Sequence, residues 1–134
     1  VEGAVEVEPE AKGPRRVEVS IVSAQHLPKM DTFGSIDPFC DVEFAGSVFK
    51  TSVKKNTYNP TWDEALLFDI EDASSSELGP LRITLMDWDR VGESEKVGMV
   101  VVSAEKMRDV ARGRIGWTEE RLRQGREGGK KGPV

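Results

Sequence analysis

The sequence predicts an antiparallel β-sandwich or barrel, and three observations carry that prediction. First, short segments of alternating apolar and polar residues recur along the chain, the signature of half-buried strands. Second, Gly, Pro, Asn and Ser signals separate them at short spacing. Third, no long amphipathic helix alternates with the strands, which argues against a parallel α/β sheet.

The elements follow in order. Val17, Val19 and Ile21 alternate with Glu18 and Ser20. Cys40, Val42 and Phe44 alternate with Asp41 and Glu43, and Gly46-Ser47 turns the chain into a hairpin partner over 48–53. Trp62, Leu66, Phe68 and Ile70 share one face of the next strand. A Ser-rich loop ending in Gly79-Pro80 leads to Leu81, Ile83 and Leu85, and residues 97–102 form a further apolar run. Ser103 followed by Glu105 opens a short helix over 103–110. Asn59-Pro60 sets a turn and Trp62 fills the core. Residues 1–14 read as an acidic leader, with Ala4–Val7 a marginal edge strand. Residues 15–118 read as the sandwich, with Gly116-Trp117 opening a last strand. Residues 119–134 read as a polar, flexible tail.

Bulk properties bound the function. The 134 residues suit one domain with its own hydrophobic core. A net charge of −5 argues against a nucleic-acid binder. No apolar stretch approaches the roughly 20 residues of a membrane span, so any membrane contact is expected to be peripheral. Cys40 is the only cysteine; it sits in an apolar strand, reads as a core thiol, and fits a reducing, cytoplasmic setting. His26 is the only histidine and has no nucleophile in its sequence context, and no phosphate-cradling Gly loop joins a strand to a helix. No enzyme activity is expected.

The chemistry lies in two acidic loops, Leu27–Pro38 and Met86–Gly98. Each places an Asp pair, Asp31 with Asp37 and Asp87 with Asp89, where a strand meets a loop. A lone loop Asp is ordinarily a turn former. Two such loops side by side at one end of a sandwich would bring four carboxylates together, and like charges at that range are costly. A divalent cation relieves the repulsion. The all-oxygen donor set suits a hard ion such as Ca²⁺ over zinc.

The stretch from Val17 to Gly98 resembles a C2 domain, the β-sandwich module of protein kinase C and synaptotagmin. The resemblance rests on LPKMDTFGSIDPFCDV, KTSVKKNTYNPTWDEALLF and LRITLMDWDRVGESEKVG, which occur in the family's order. It implies an eight-stranded antiparallel Greek-key sandwich, whose strand permutation Ala4–Val7 and the segment after Trp117 leave open. It implies that Asp31, Asp37, Asp87 and Asp89 ligate calcium together with the backbone carbonyls of Met30 and Trp88. The family's fifth ligand, usually Asp, is here Glu95, so one ion is expected and a second hinges on that longer arm. Glu93 reads as a solvated charge.

The resemblance further implies a monomeric module that docks on anionic phospholipids when calcium cancels the local negative field, targeting a larger protein to the membrane. The alternative is a calcium-independent module that binds a protein partner. Phe33 and Val91, with Arg90 beside Val91, are candidate membrane-contact residues; Phe33 equally suits folding back onto the sandwich end. Lys50, Lys54 and Lys55 are a candidate phosphoinositide patch. Strand alternation puts only Lys50 and Lys54 on one face, so an ordinary solvated strand is the favoured reading.

Overall fold

The computed structural model describes residues 13–30 and 35–113, together with the backbone of a two-residue strand at 123–124. Among these residues the chain forms β1 (Arg15–Ser23), β2 (Pro38–Phe44), β3 (Ser47–Lys50), β4 (Thr61–Ile70), β5 (Leu81–Asp87), β6 (Glu95–Val102), α1 (Ala104–Ala111) and β7 (Arg123–Gln124). Strands β1 and β4 pair antiparallel as one sheet. The second sheet has the order β3-β2-β5-β6-β7, and all its pairings are antiparallel. Ala4–Val7 and Gly116-Trp117, the expected sources of the remaining edge strand, lie outside the described residues.

Apolar alternation gives each sheet one oily face, and the two faces bury each other. Val17, Ile21, Trp62, Phe68 and Ile70 come from the first sheet; Cys40, Val42, Phe44, Leu81, Leu85, Val97 and Val102 come from the second. Phe44 and Phe49 both meet Phe68 edge-on, at centroid distances of 5.8 and 4.9 Å. Helix α1 adds Met107 and Ala111 to the core. Ser103 caps the helix, its hydroxyl accepting from the Lys106 N–H at 3.1 Å, and Glu105 follows in the first turn. Below the sheets, Asp72 accepts from the Gly13 and Ser74 N–H groups, and the Arg15 guanidinium donates to the Ala111 carbonyl. Its bonds from Ser74, and then from Gly13, hold the Asp72 carboxyl below its ordinary range.

Two local features depart from the sequence reading. The hairpin turn uses Ala45-Gly46 and not Gly46-Ser47: both residues have positive φ, 50° and 84°, as a two-residue primed turn demands. The hairpin partner also ends at Lys50 and does not run to Val53. The cause is Thr51, which is buried and whose hydroxyl accepts from the Cys40 N–H at 2.8 Å, while its own N–H donates to the Cys40 carbonyl. The side chain thus replaces a main-chain acceptor and releases the following residues from the ladder. Ser52 then turns to β4, donating from its N–H and hydroxyl to Glu64 and accepting from the Trp62 indole at 2.9 Å. Trp62 is aimed inward by a bulge: Trp62 and Asp63 together oppose Val22, and Asp63 is left-handed at φ 50°.

Candidate metal centre

One end of the sandwich gathers the starts of β2 and β6 and the end of β5. The register pairs Pro38 with Asp87 and Asp87 with Glu95. Strand geometry alone therefore brings Asp37, Asp87, Asp89 and Glu95 to one cleft of about 170 Å³, with Ser35 and Trp88 as its other walls. Asp87 is buried and Asp37 half-buried, whereas Asp89 and Glu95 are exposed.

Backbone N–H groups aim these carboxylates. The Asp37 N–H donates to Asp87 Oδ1 at 2.9 Å. Asp37 Oδ1 accepts from the Asn56 N–H at 2.7 Å, and the Asp37 carbonyl accepts from the Trp88 N–H at 2.9 Å. Asp89 Oδ1 accepts from the Val91 N–H at 3.0 Å, a turn that precedes Gly92 at φ 93°. Each Asp thus has one oxygen held by the main chain. None of the four carboxylates pairs with a cation among the described residues.

The donors fit a hard divalent ion. They are carboxylate oxygens with a nearby Ser35 hydroxyl, and neither histidine nor cysteine lines the cleft. Among the described residues no three acidic, His or Cys side chains are drawn together into a finished cage. Asp31 and Phe33 lie outside the described residues. Met30 is half-buried and packs on the core just before that segment.

The remaining expected residues spread around this end. Arg90 is exposed and Val91 is 80% exposed, at the tip of the β5–β6 loop. The three lysines make different contacts. Lys50 donates to Asp41 at 2.6 Å and lies over the Phe39 ring at 5.4 Å. Lys54 is half-buried, its N–H on the Pro38 carbonyl at 3.0 Å. Lys55 sits over the Trp88 ring, its ammonium 4.5 Å from the centroid. Glu93 is exposed and does not line the cleft. Ser35 and Asn56 are not marked by the sequence reading. Asn56 is left-handed at φ 51°, a conformation in which Asn is enriched, which is the one signal that could have found it.

The profile of the C2 domain family matches residues 15–119. The chain belongs to the C2 domain family. This C2 domain is 37% identical over 109 residues to synaptotagmin-9 of Rattus norvegicus, covering 78% of the chain and 21% of the relative. It is 38% identical over 95 residues to synaptotagmin-3 of Mus musculus, covering 67% and 16%. The chain therefore spans about a fifth of the length of the synaptotagmins it matches. Among solved structures it resembles a C2 domain of plant extended synaptotagmin 1, with a TM-score of 0.59 and 33% identity over 68% of this chain and 70% of that one. A C2 domain of RIM from Drosophila shares the fold, with a TM-score of 0.63 at 18% identity over 84% and 97%. No helix among the described residues is long and apolar enough to cross a membrane.

Proposed function

We propose that this C2 domain binds calcium through Asp31, Asp37, Asp87, Asp89 and Glu95 and thereby docks peripherally on anionic phospholipid membranes. The observation that carries this reading is the convergence of Asp37, Asp87, Asp89 and Glu95 on one cleft with no cation paired to any of them among the described residues. Main-chain N–H groups orient Asp37, Asp87 and Asp89, so little ordering entropy opposes ion binding. The carbonyls of Met30 and Trp88 complete the proposed shell. One ion uses the aspartates; a second requires Glu95, whose position opposite Asp87 favours its participation.

Ion binding supplies positive charge to an end of the molecule that otherwise repels an anionic leaflet, and lipid phosphates finish the calcium shell. The chain's own residues do the rest. Val91 and Arg90, and Phe33 in the other loop, meet the headgroup layer, where each basic charge near the surface is worth about 1 kcal/mol. Burial of an apolar tip contributes about 1.5–3 kcal/mol when complete. We assign no catalytic step to this domain and place it as a targeting module of a larger protein, cytoplasmic and peripheral on the membrane in calcium. Co-sedimentation with phosphatidylserine-containing vesicles tests the reading. Binding in calcium and its loss in chelator is expected; equal binding in both sinks it.

A second reading, a calcium-independent module for a protein partner, has one observation in its favour. Lys50 is already occupied by Asp41, and Glu43 stands two residues on along the same strand face. That face offers an acidic and basic mixture, which suits a protein surface better than a phosphorylated headgroup.

A further inference from the structure

We propose that Lys55 and Asn56 form a clamp that sets the ion affinity of the cleft, Asn56 by positioning Asp37 and Lys55 by opposing the ion with a fixed charge. The proposal rests on the calcium reading above. Residues 54–57 run beside residues 36–38 and are laced to them by three hydrogen bonds. The Lys54 N–H donates to the Pro38 carbonyl at 3.0 Å, the Asn56 N–H to Asp37 Oδ1 at 2.7 Å, and the Thr57 N–H to the Ile36 carbonyl at 3.0 Å. The middle bond differs in kind: its acceptor is a side chain that lines the cleft. The left-handed turn at Asn56, φ 51°, is part of the conformation in which this N–H meets that carboxylate. The Ser35 hydroxyl, another cleft wall, donates to the Asn56 side-chain oxygen at 3.2 Å.

One residue earlier, the Lys55 ammonium rests 4.5 Å from the centroid of Trp88. Trp88 lines the cleft between Asp87 and Asp89, and its N–H is tied to the Asp37 carbonyl. A cation over an indole face is held by the ring quadrupole. The same two-residue stretch therefore grips both walls of the cleft, Asp37 through the main chain and Trp88 through a charged side chain. The two grips act in opposite directions on a bound cation. The Asn56 N–H pre-aims a ligand and strengthens binding. The Lys55 charge beside the cleft repels a divalent ion and weakens it, by an amount that falls with ionic strength.

The test compares Lys55→Gln, Lys55→Arg, Asn56→Gly and Asn56→Val by calorimetric calcium titration without lipid. The indole N–H resonance of Trp88 is followed by NMR in chelator. Lys55→Gln is expected to tighten calcium about two- to fourfold at low salt, less at high salt, and to shift the Trp88 resonance. Lys55→Arg keeps both near wild type. Asn56→Gly retains the positive φ and the N–H bond to Asp37, loses only the bond from Ser35 and weakens binding little, whereas the β-branched Asn56→Val resists the positive φ and weakens binding about five- to tenfold. A merely structural loop would move every variant toward weaker binding. Lys55→Gln binding no tighter than wild type, or Asn56→Val binding as tightly as Asn56→Gly, overturns the proposal. If the wild type binds no calcium, the functional reading fails and takes the ion-tuning role with it. The Trp88 resonance of Lys55→Gln then still decides whether the clamp exists, since an unmoved signal rules it out.

Discussion

Asp87 and Glu95 are direct register partners across the β5–β6 ladder, so two acidic side chains stand opposite each other at the edge of the cleft. Opposed like charges destabilise an antiparallel pair, by about 0.2–1 kcal/mol. A fold gains nothing from that arrangement unless a cation joins them. Glu95→Gln is therefore expected to raise the melting temperature in chelator and to shrink the further rise that calcium produces. Differential scanning calorimetry in chelator and in calcium checks both signs.

Asp87 has a second duty, since its Oδ1 accepts the Asp37 N–H. Asp87→Asn keeps an oxygen there and relieves the same repulsion, so it is expected to be at least as stable as the wild type in chelator. Asp87→Ala leaves that N–H without its acceptor and costs about 1–3 kcal/mol in urea denaturation. Both changes remove the calcium-induced stabilisation. Equal stability of the two variants would show that the hydrogen bond contributes nothing.

Thr51 ends the hairpin through a hydroxyl that accepts from the buried Cys40 main chain. Thr51→Val preserves shape and loses the acceptor. A loss of about 1–3 kcal/mol is expected, read from the urea midpoint at constant slope. Thr51→Ser, which keeps the acceptor, recovers most of it.

The Cys40 thiol is pushed up from 9.0 to about 12, first by burial and then by the charges of Asp41 and Glu64. The folded chain keeps the thiol proton after the unfolded chain has lost it. This contribution to stability is therefore complete below pH about 9 and falls as the pH rises toward about 12. Cys40→Ala should remove that part of the alkaline decline. Alkylation at pH 8 should be slow in buffer and fast in denaturant; fast labelling of the folded chain would contradict the burial.

Ala45 carries a left-handed backbone, φ 50°, in the turn before Gly46. Asn adopts that conformation more readily. Ala45→Asn is expected to stabilise the fold by about 0.5–1 kcal/mol, with no change in calcium binding, measured by denaturant titration.

The parts of the molecule written in periodic signals are legible from the chain alone. Alternation locates β1, β2, β4 and β5 within a few residues, and Ser103 with Glu105 marks the start of α1. The paired spacing of Asp37, Asp87 and Asp89 points to the one end of the fold that they share. What is not legible depends on side chains that intervene in the main-chain pattern. Thr51 reads as one more strand residue, and only its bond to Cys40 explains why the strand stops and leaves Lys54 and Lys55 beyond it. Ala45 carries no turn signal, so the residue types alone point to a turn one position late. Lys55 is marked only as part of a basic patch and Asn56 not at all, because their grip on Asp37 and Trp88 is a contact between segments far apart in sequence.

Calcium dependence stands or falls on calorimetric titration of calcium into the chelator-stripped chain. Saturable binding and a rise in melting temperature are expected, both lost in a chain carrying Asp87→Asn and Asp89→Asn that still folds. No heat and no thermal shift at millimolar calcium would show that the cleft is not a calcium site.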